Sequence, residues 1–324
     1  MMNKLNSDVS VVVRSAGERT LSTCVDLIEA QGVPKASIYT LTESPFVGAL
    51  KRSYEIGIAE GKKWLMCVDA DLLLRQGSIH TIIDYAKQLP ETVCEVHGHI
   101  LDKFFGGSRL GGIHLYRCQW LHKTNAVLDG LGSPIRPESA ILEEMARQGY
   151  PWVECPYVVG LHDFEQSYRD ILRKTFVHAH KHQRLLPLLV DYWRAGAQAG
   201  DMDFEVALLG LGEGIKSTQR VEIDTASLSE KLKEVSIDVE DKPPLESSQY
   251  SLTEVERVIR DWKEPEFYRD FFPNACGLGN FVHKNRWHLL NHEIERRGAL
   301  RGAIHFSGRL VEVAGRRVQA LVRS

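Results

Sequence analysis

The chain has 324 residues, 43% hydrophobic and 26% charged, the make-up of a globular protein with one large domain or two. Its formal net charge of −3 excludes an overall basic footprint for nucleic acid. Its 6 Cys include no Cys-x-x-Cys pair, no stretch nears roughly 20 apolar residues, and the amino terminus lacks an apolar leader, so a cytoplasmic protein without a zinc cluster or membrane span is expected.

Residues 9–13 are a β-branched run and predict the first strand. Thr20 can cap a helix that carries Leu21, Val25 and Ile28 on one face and ends at Gly32 and Pro34. Residues 38–42 read as the second strand, followed by Glu43, and residues 48–60 as a helix closed by Gly61. A third strand runs from Trp64 into Asp69 and Asp71, and alternation along a strand would point both carboxylates the same way. Ile79, Ile82, Ile83 and Ala86 form the face of another helix, and residues 93–96 a fourth strand. Strands alternating with helices predict a mostly parallel, doubly wound sheet of right-handed crossovers.

After His97 the rhythm changes. Gly98, Gly106, Gly107, Gly111 and Gly112 interrupt the chain, so antiparallel additions, mobile loops and a short strand over 113–116 are expected. Residues 137–148 predict a helix with proline in its first turn, and residues 152–159 an extended segment leading to His162 and Asp163. From about 167 to 215 the pattern is helical. Residues 234–251, acidic and carrying Pro243 and Pro244, read as a mobile linker, and residues 251–262 as a short helix. The expected organisation is an α/β domain over 1–165 and a mainly helical region over 166–324.

Two carboxylates at a strand's carboxyl end lie where open α/β sheets bind ligands. They suit Mg2+ or Mn2+, hard cations that keep positions open for phosphate oxygens. An Arg and Ser after the first strand, an acid after the second, Arg52 with Ser53 in the next helix, then Asp69 and Asp71, form a series that resembles the GT-A glycosyltransferases, family 2 in particular. The likeness covers about residues 8–165. It implies a Rossmann-like GT-A sheet flanked by helices, with a helical C-terminal extension. It implies that Arg14, Ser15, Glu43, Arg52 and Asp69 contact a nucleotide-diphospho-sugar of UDP or GDP type. It places metal ligands at Asp71 and His162, and the catalytic base at Glu138, in the first turn of its helix. Departures are Leu72 where a further acid is usual, and Ser53 where the family has Asn.

The implied activity is metal-dependent, inverting transfer of a hexosyl group to a hydroxyl of a glycan, lipid-linked or small-molecule acceptor, in glycan or polysaccharide synthesis. Asp102 and Asp163 stand next as bases. An apolar strand with Asp-x-Asp also opens haloacid-dehalogenase phosphatases, with Asp69 as nucleophile; there the motif belongs to the first strand, whereas here two strand–helix units precede it. A non-catalytic carbohydrate-binding protein of the same fold is a third reading.

His178, His180 and His182 fit a helix surface better than a metal cluster, since only two share a face. Gly210, Gly212 and Gly214 lack the preceding strand of a dinucleotide site. The tail carries an apolar heptad seam from Leu300 to Leu321 and a stripe of Arg309, Arg316 and Arg323. It offers packing on its own domain, a homodimer seam, or peripheral contact with the anionic inner face of a membrane.

Overall fold

The computed structural model describes residues 8–132, 136–217, 225–237 and 239–271. The tail seam and its arginines lie outside the described residues. Seven strands form one sheet: β1 Val9–Arg14, β2 Ile38–Leu41, β3 Trp64–Asp69, β4 Leu72–Leu74, β5 Glu95–Asp102, β6 Gly107–Arg117 and β7 Trp152–His162, in the order β2-β1-β3-β6-β5-β7-β4.

Every residue of β1 is buried, because helices cover both faces of the sheet. Val11, Val13, Met66 and Val68 point to one face, where α1 (Leu21–Glu29) and α3 (Ser78–Lys87) contribute Cys24, Ile28, Ile79, Ile82 and Ile83. Val12, Leu65 and Cys67 alternate to the other face. There α2 (Phe46–Glu60), α4 (Leu121–Gly130) and α5 (Pro137–Arg147) add Leu50, Tyr54, Leu121, Leu128, Ile141 and Met145. Each such buried side chain contributes roughly 1.5–3 kcal/mol.

The sheet carries the antiparallel additions expected after His97, beside a parallel pair of β5 with β7. β2, β1 and β3 are parallel, but β6 runs antiparallel to both β3 and β5, and β4 antiparallel to β7. Of the glycines expected in loops around a short strand, Gly107, Gly111 and Gly112 belong to the 11-residue β6, and Gly98 lies in β5. Gly106 makes the β5–β6 turn with a left-handed φ of 78°, and Gly107 lies under the Tyr268 ring with no room for a Cβ. These glycines mark turns and close packing rather than mobility. β4 was hidden in the sequence because three residues carry no readable period. Its pairing with β7 needs Gly160, where a Cβ would collide with the Leu73 backbone.

The helical extension begins with α6 (Tyr168–Lys181), α7 (Leu186–Gln198) and α8 (Met202–Lys216). Ser167 caps α6 by accepting from the Asp170 amide. Gly210 and Gly214 let α8 press against the backbone of Leu172 and Phe176, so these glycines serve helix packing. Phe104 and Phe105 of the β5–β6 turn enter the core of this helical layer beside Phe176 and Trp193. A short α9 (Thr225–Leu232) follows. The acidic stretch read as a linker lies along α1. Leu245 is buried, its amide donates to the Arg19 carbonyl at 2.9 Å, and its carbonyl accepts from Thr23 at 3.1 Å. α10 (Leu252–Asp261) then packs Val255 and Ile259 against Leu73 and Leu161, and α11 (Glu266–Phe271) carries Tyr268.

Candidate active site

β1 and β3 end side by side, Arg14 opposite Asp69. The strand stops at Asp69 because the next residue is held differently. The Ala70 amide donates to the Arg14 carbonyl at 2.9 Å, and the Ala70 carbonyl accepts from Thr20 Oγ1 at 2.8 Å. Thr20, expected as a helix cap, makes no cap bond and instead pins this turn. The turn breaks the alternation, so Asp69 and Asp71 do not face one way, as a continuous strand would require. They open two separate clusters.

The Asp69 cluster is built on Arg14, which is buried. Its Nε and Nη2 donate to Asp69 Oδ1 at 3.1 and 2.7 Å, and its Nη1 to Glu138 Oε1 at 2.6 Å. Glu138 stands in the first turn of α5, where the helix dipole favours a carboxylate. Behind it, on the sheet, His114 Nε2 lies 3.3 Å from Glu138 Oε1, and His114 Nδ1 lies 2.7 Å from Glu95. His97, opposite His114 across β5 and β6, stacks on its ring at 4.2 Å. Burial alone would raise the pKa of Glu138, but Arg14 and His114 outweigh it and bring the carboxyl down to about 2. Burial also opposes protonation of His114, yet Glu138 and Glu95 raise it above its ordinary value. Glu138 is therefore ionised and anchored through Oε1. Among the described residues its Oε2 takes no donor, and the side chain is 22% exposed.

The Asp71 cluster assembles by register. Leu72 pairs with His162 across β4 and β7, and Asp102 pairs with His162 across β5 and β7. His162 Nε2 lies 3.4 Å from Asp71 Oδ1, while Nδ1 is 3.0 Å from both Asp102 and Asp163. Burial disfavours the imidazolium, but Asp163 and Asp71 lift His162 to about 10. A metal bound at His162 would displace the imidazolium proton. Asp102 is fully buried, accepts from the Phe104 and Phe105 amides at 2.9 and 3.0 Å and from Arg109 Nε at 2.7 Å, and is held at about 2, Arg109 and His162 outweighing its burial. Asp163 has a left-handed φ of 65°, a strained position that aspartate tolerates. Lys174 of α6 reaches in and donates to both Asp71 and Asp163.

Asp71, His162 and Asp163 bring one ligand atom each within 4.8 Å of one another, and among the described residues the buried Asp71 Oδ1 accepts no hydrogen bond. Two carboxylates and an imidazole fit Mn2+ or Mg2+. Glu95, His97 and His114 meet the same spacing, and Glu95 Oε2 and His97 Nε2 have no hydrogen-bond partner among the described residues.

Of the residues named from sequence, the structure joins Arg14, Asp69 and Glu138 in one cluster and Asp71 and His162 in the other. Ser15 follows Arg14, its hydroxyl donating to Glu18 at 2.8 Å. Glu43 is exposed after β2, and Arg52 lies on the outer side of α2, paired with Glu55 at 3.2 Å; no contact among the described residues joins either to the clusters. Asp102 and Asp163, considered as bases, belong with His162. Sequence reasoning missed Glu95, His97, His114, Arg109 and Lys174. The isolated polar residues inside apolar strands 95–102 and 107–117 were the available signal, since burying them needs a purpose.

No family model matches the sequence, and no curated protein matches it. Among solved structures, the chain is similar to a glycosyltransferase involved in the glycosylation of the major capsid of PBCV-1, at 13% identity and TM-score 0.34, over 45% of this chain and 81% of the other. It is similar to a cytidylyltransferase from Leptospira borgpetersenii, at 10% identity and TM-score 0.32, over 48% and 78%. It is also similar to a mannosyltransferase from Pyrobaculum calidifontis in complex with GDP-Man and Mn2+, at 12% identity and TM-score 0.35, over 84% of both chains. By its own strand order, its acidic turn after β3 and its helices on both faces, the chain has a Rossmann-like GT-A fold with a helical extension.

Proposed function

We propose that the chain transfers a sugar from a nucleotide diphosphate donor to a hydroxyl acceptor. The observation that carries this is the pair of clusters flanking one turn at the sheet's carboxyl edge: an anchored carboxylate with one free oxygen on one side, a divalent-cation ligand set on the other. Asp71, His162 and Asp163 would hold Mn2+ or Mg2+, which when bound offsets charge on the departing diphosphate. Arg14 lies beside both Asp69 and Glu138, where it can meet a donor phosphate. Glu138 Oε2 accepts the acceptor's proton as its oxygen bonds to the anomeric carbon and the bond from that carbon to the diphosphate oxygen breaks. Attack opposite the leaving group inverts the centre. A carboxyl at about 2 is a weak base, so engagement of Arg14 by the donor, which loosens its hold on Glu138, is part of this reading.

A phosphatase with Asp69 as nucleophile is not favoured, because Arg14 occupies Asp69 Oδ1. The helical region beyond about residue 165 would shape the acceptor side, apart from Lys174, which reaches the donor's metal site. A thermal-shift panel of UDP-, GDP-, CDP- and dTDP-sugars with and without Mn2+ tests the function. A metal-dependent rise with one nucleotide class is expected; no shift with any donor would overturn the reading.

A further inference from the structure

The Asp71 cluster already contains a cation. Lys174 Nζ donates to Asp71 Oδ2 and Asp163 Oδ1, two of the three groups that fit a divalent ion. The carboxylates are buried, at 6% and 2% side-chain exposure, and come from different elements. A surface ion pair needs one carboxylate; here one ammonium bridges two buried ones. A lysine ammonium is a compact point charge on a flexible four-carbon stem, suited to enter and leave such a site. The stem has a way out, since the Lys174 side chain is 21% exposed. The lysine belongs to α6, whose next turns carry His178 against the Phe105 ring at 5.4 Å and Lys181, whose carbonyl accepts from Arg136 at 3.3 Å. One helix of the extension thus runs along both clusters.

We propose that Lys174 is a built-in, displaceable counter-cation of the metal site. It holds Asp71 and Asp163 together while no metal is bound, and a divalent ion enters only as the ammonium withdraws. This rests on the donor-site reading above and adds a regulator to it: metal loading is opposed by α6 and releases a cation beside the donor. A site occupied by its own lysine nine times in ten or more binds metal about tenfold or more weakly than the same site with the lysine removed.

Electron spin resonance of free Mn2+ measures this without donor or turnover. Lys174→Met is expected to bind Mn2+ at least about tenfold more tightly than wild type, and Asp71→Asn to weaken the binding about 100-fold in both backgrounds. Equal or weaker binding by a folded Lys174→Met protein would overturn the proposal. A second measurement needs no variant. Reductive methylation of the wild-type protein, read by mass spectrometry, should label Lys174 slowly without Mn2+ and several-fold faster with it; labelling indifferent to Mn2+ would overturn the proposal equally. If Mn2+ binds as expected in these assays while no nucleotide sugar binds, the transferase reading fails and the lysine's role stands.

Discussion

Asp69 and Asp71 are separated by one residue, yet the two sides of their turn are neutralised in opposite ways. Asp69 faces Arg14, a guanidinium that is always charged and grips with several donors in a fixed plane. Asp71 faces a lysine ammonium and an imidazolium, both able to leave or lose a proton. The first side is a fixed frame that anchors Glu138 by one oxygen; the second is an exchangeable socket. A short acidic motif can therefore divide its labour between permanence and exchange, and the turn at residues 70–71 is what separates the two.

The sharpest test of the frame is Glu138→Gln. Donor affinity should stay within about twofold while turnover falls roughly 10²–10⁴-fold, the usual contribution of a general base. Calorimetry with donor and a product assay separate the two quantities, and turnover near the wild-type level would move the base elsewhere.

Comparing Asp69→Asn with Asp71→Asn breaks or keeps the division itself. Loss of Asp71 should weaken Mn2+ binding by about 100-fold, the upper range seen even for groups that only support a ligand. Loss of Asp69 should change it by less than about threefold on the same scale. Similar losses in both variants would show one shared metal site, as a continuous strand would have made.

The smallest effect is on stability in acid. Glu138 titrates near 2 in the fold against an ordinary 4.5, so its pairing stabilises the protein fully above 4.5 and is lost as the pH falls from there toward 2. The shift corresponds to about 2 kcal/mol after allowance for partial exposure. The melting temperature of wild type should drop more between pH 7 and 3 than that of Glu138→Gln, by a few degrees. Parallel curves would mean that Arg14 is served equally well by Asp69 alone.

The frame was the more legible side. Arg14, Asp69 and Glu138 were named through the resemblance to GT-A glycosyltransferases, and the order of strands and helices is what brings them together. The helix limits were close for the same reason: apolar spacing such as Ile79, Ile82 and Ile83 is local. The socket was half hidden. Asp71 and His162 stood at readable strand ends, but Asp102 joins them through the register of β5 on β7, and Lys174 through the docking of α6, neither of which leaves a local pattern. His114 and Glu95 were missed because a polar residue in an apolar run has no spacing signature of its own. The turn at Ala70 was misread because its cause, the Thr20 hydroxyl, is 50 residues away in the chain.

Gly160 gives the socket its dimensions. β4 can lie on β7 only because nothing projects from residue 160 toward Leu73, and that pairing fixes how far Asp71 stands from His162. The position has a mutational tolerance of essentially one residue type. Even a methyl group would lift β4 and drag one ligand from the other, leaving every charged side chain in place. A protein damaged there would keep its full inventory of site residues and lose the site.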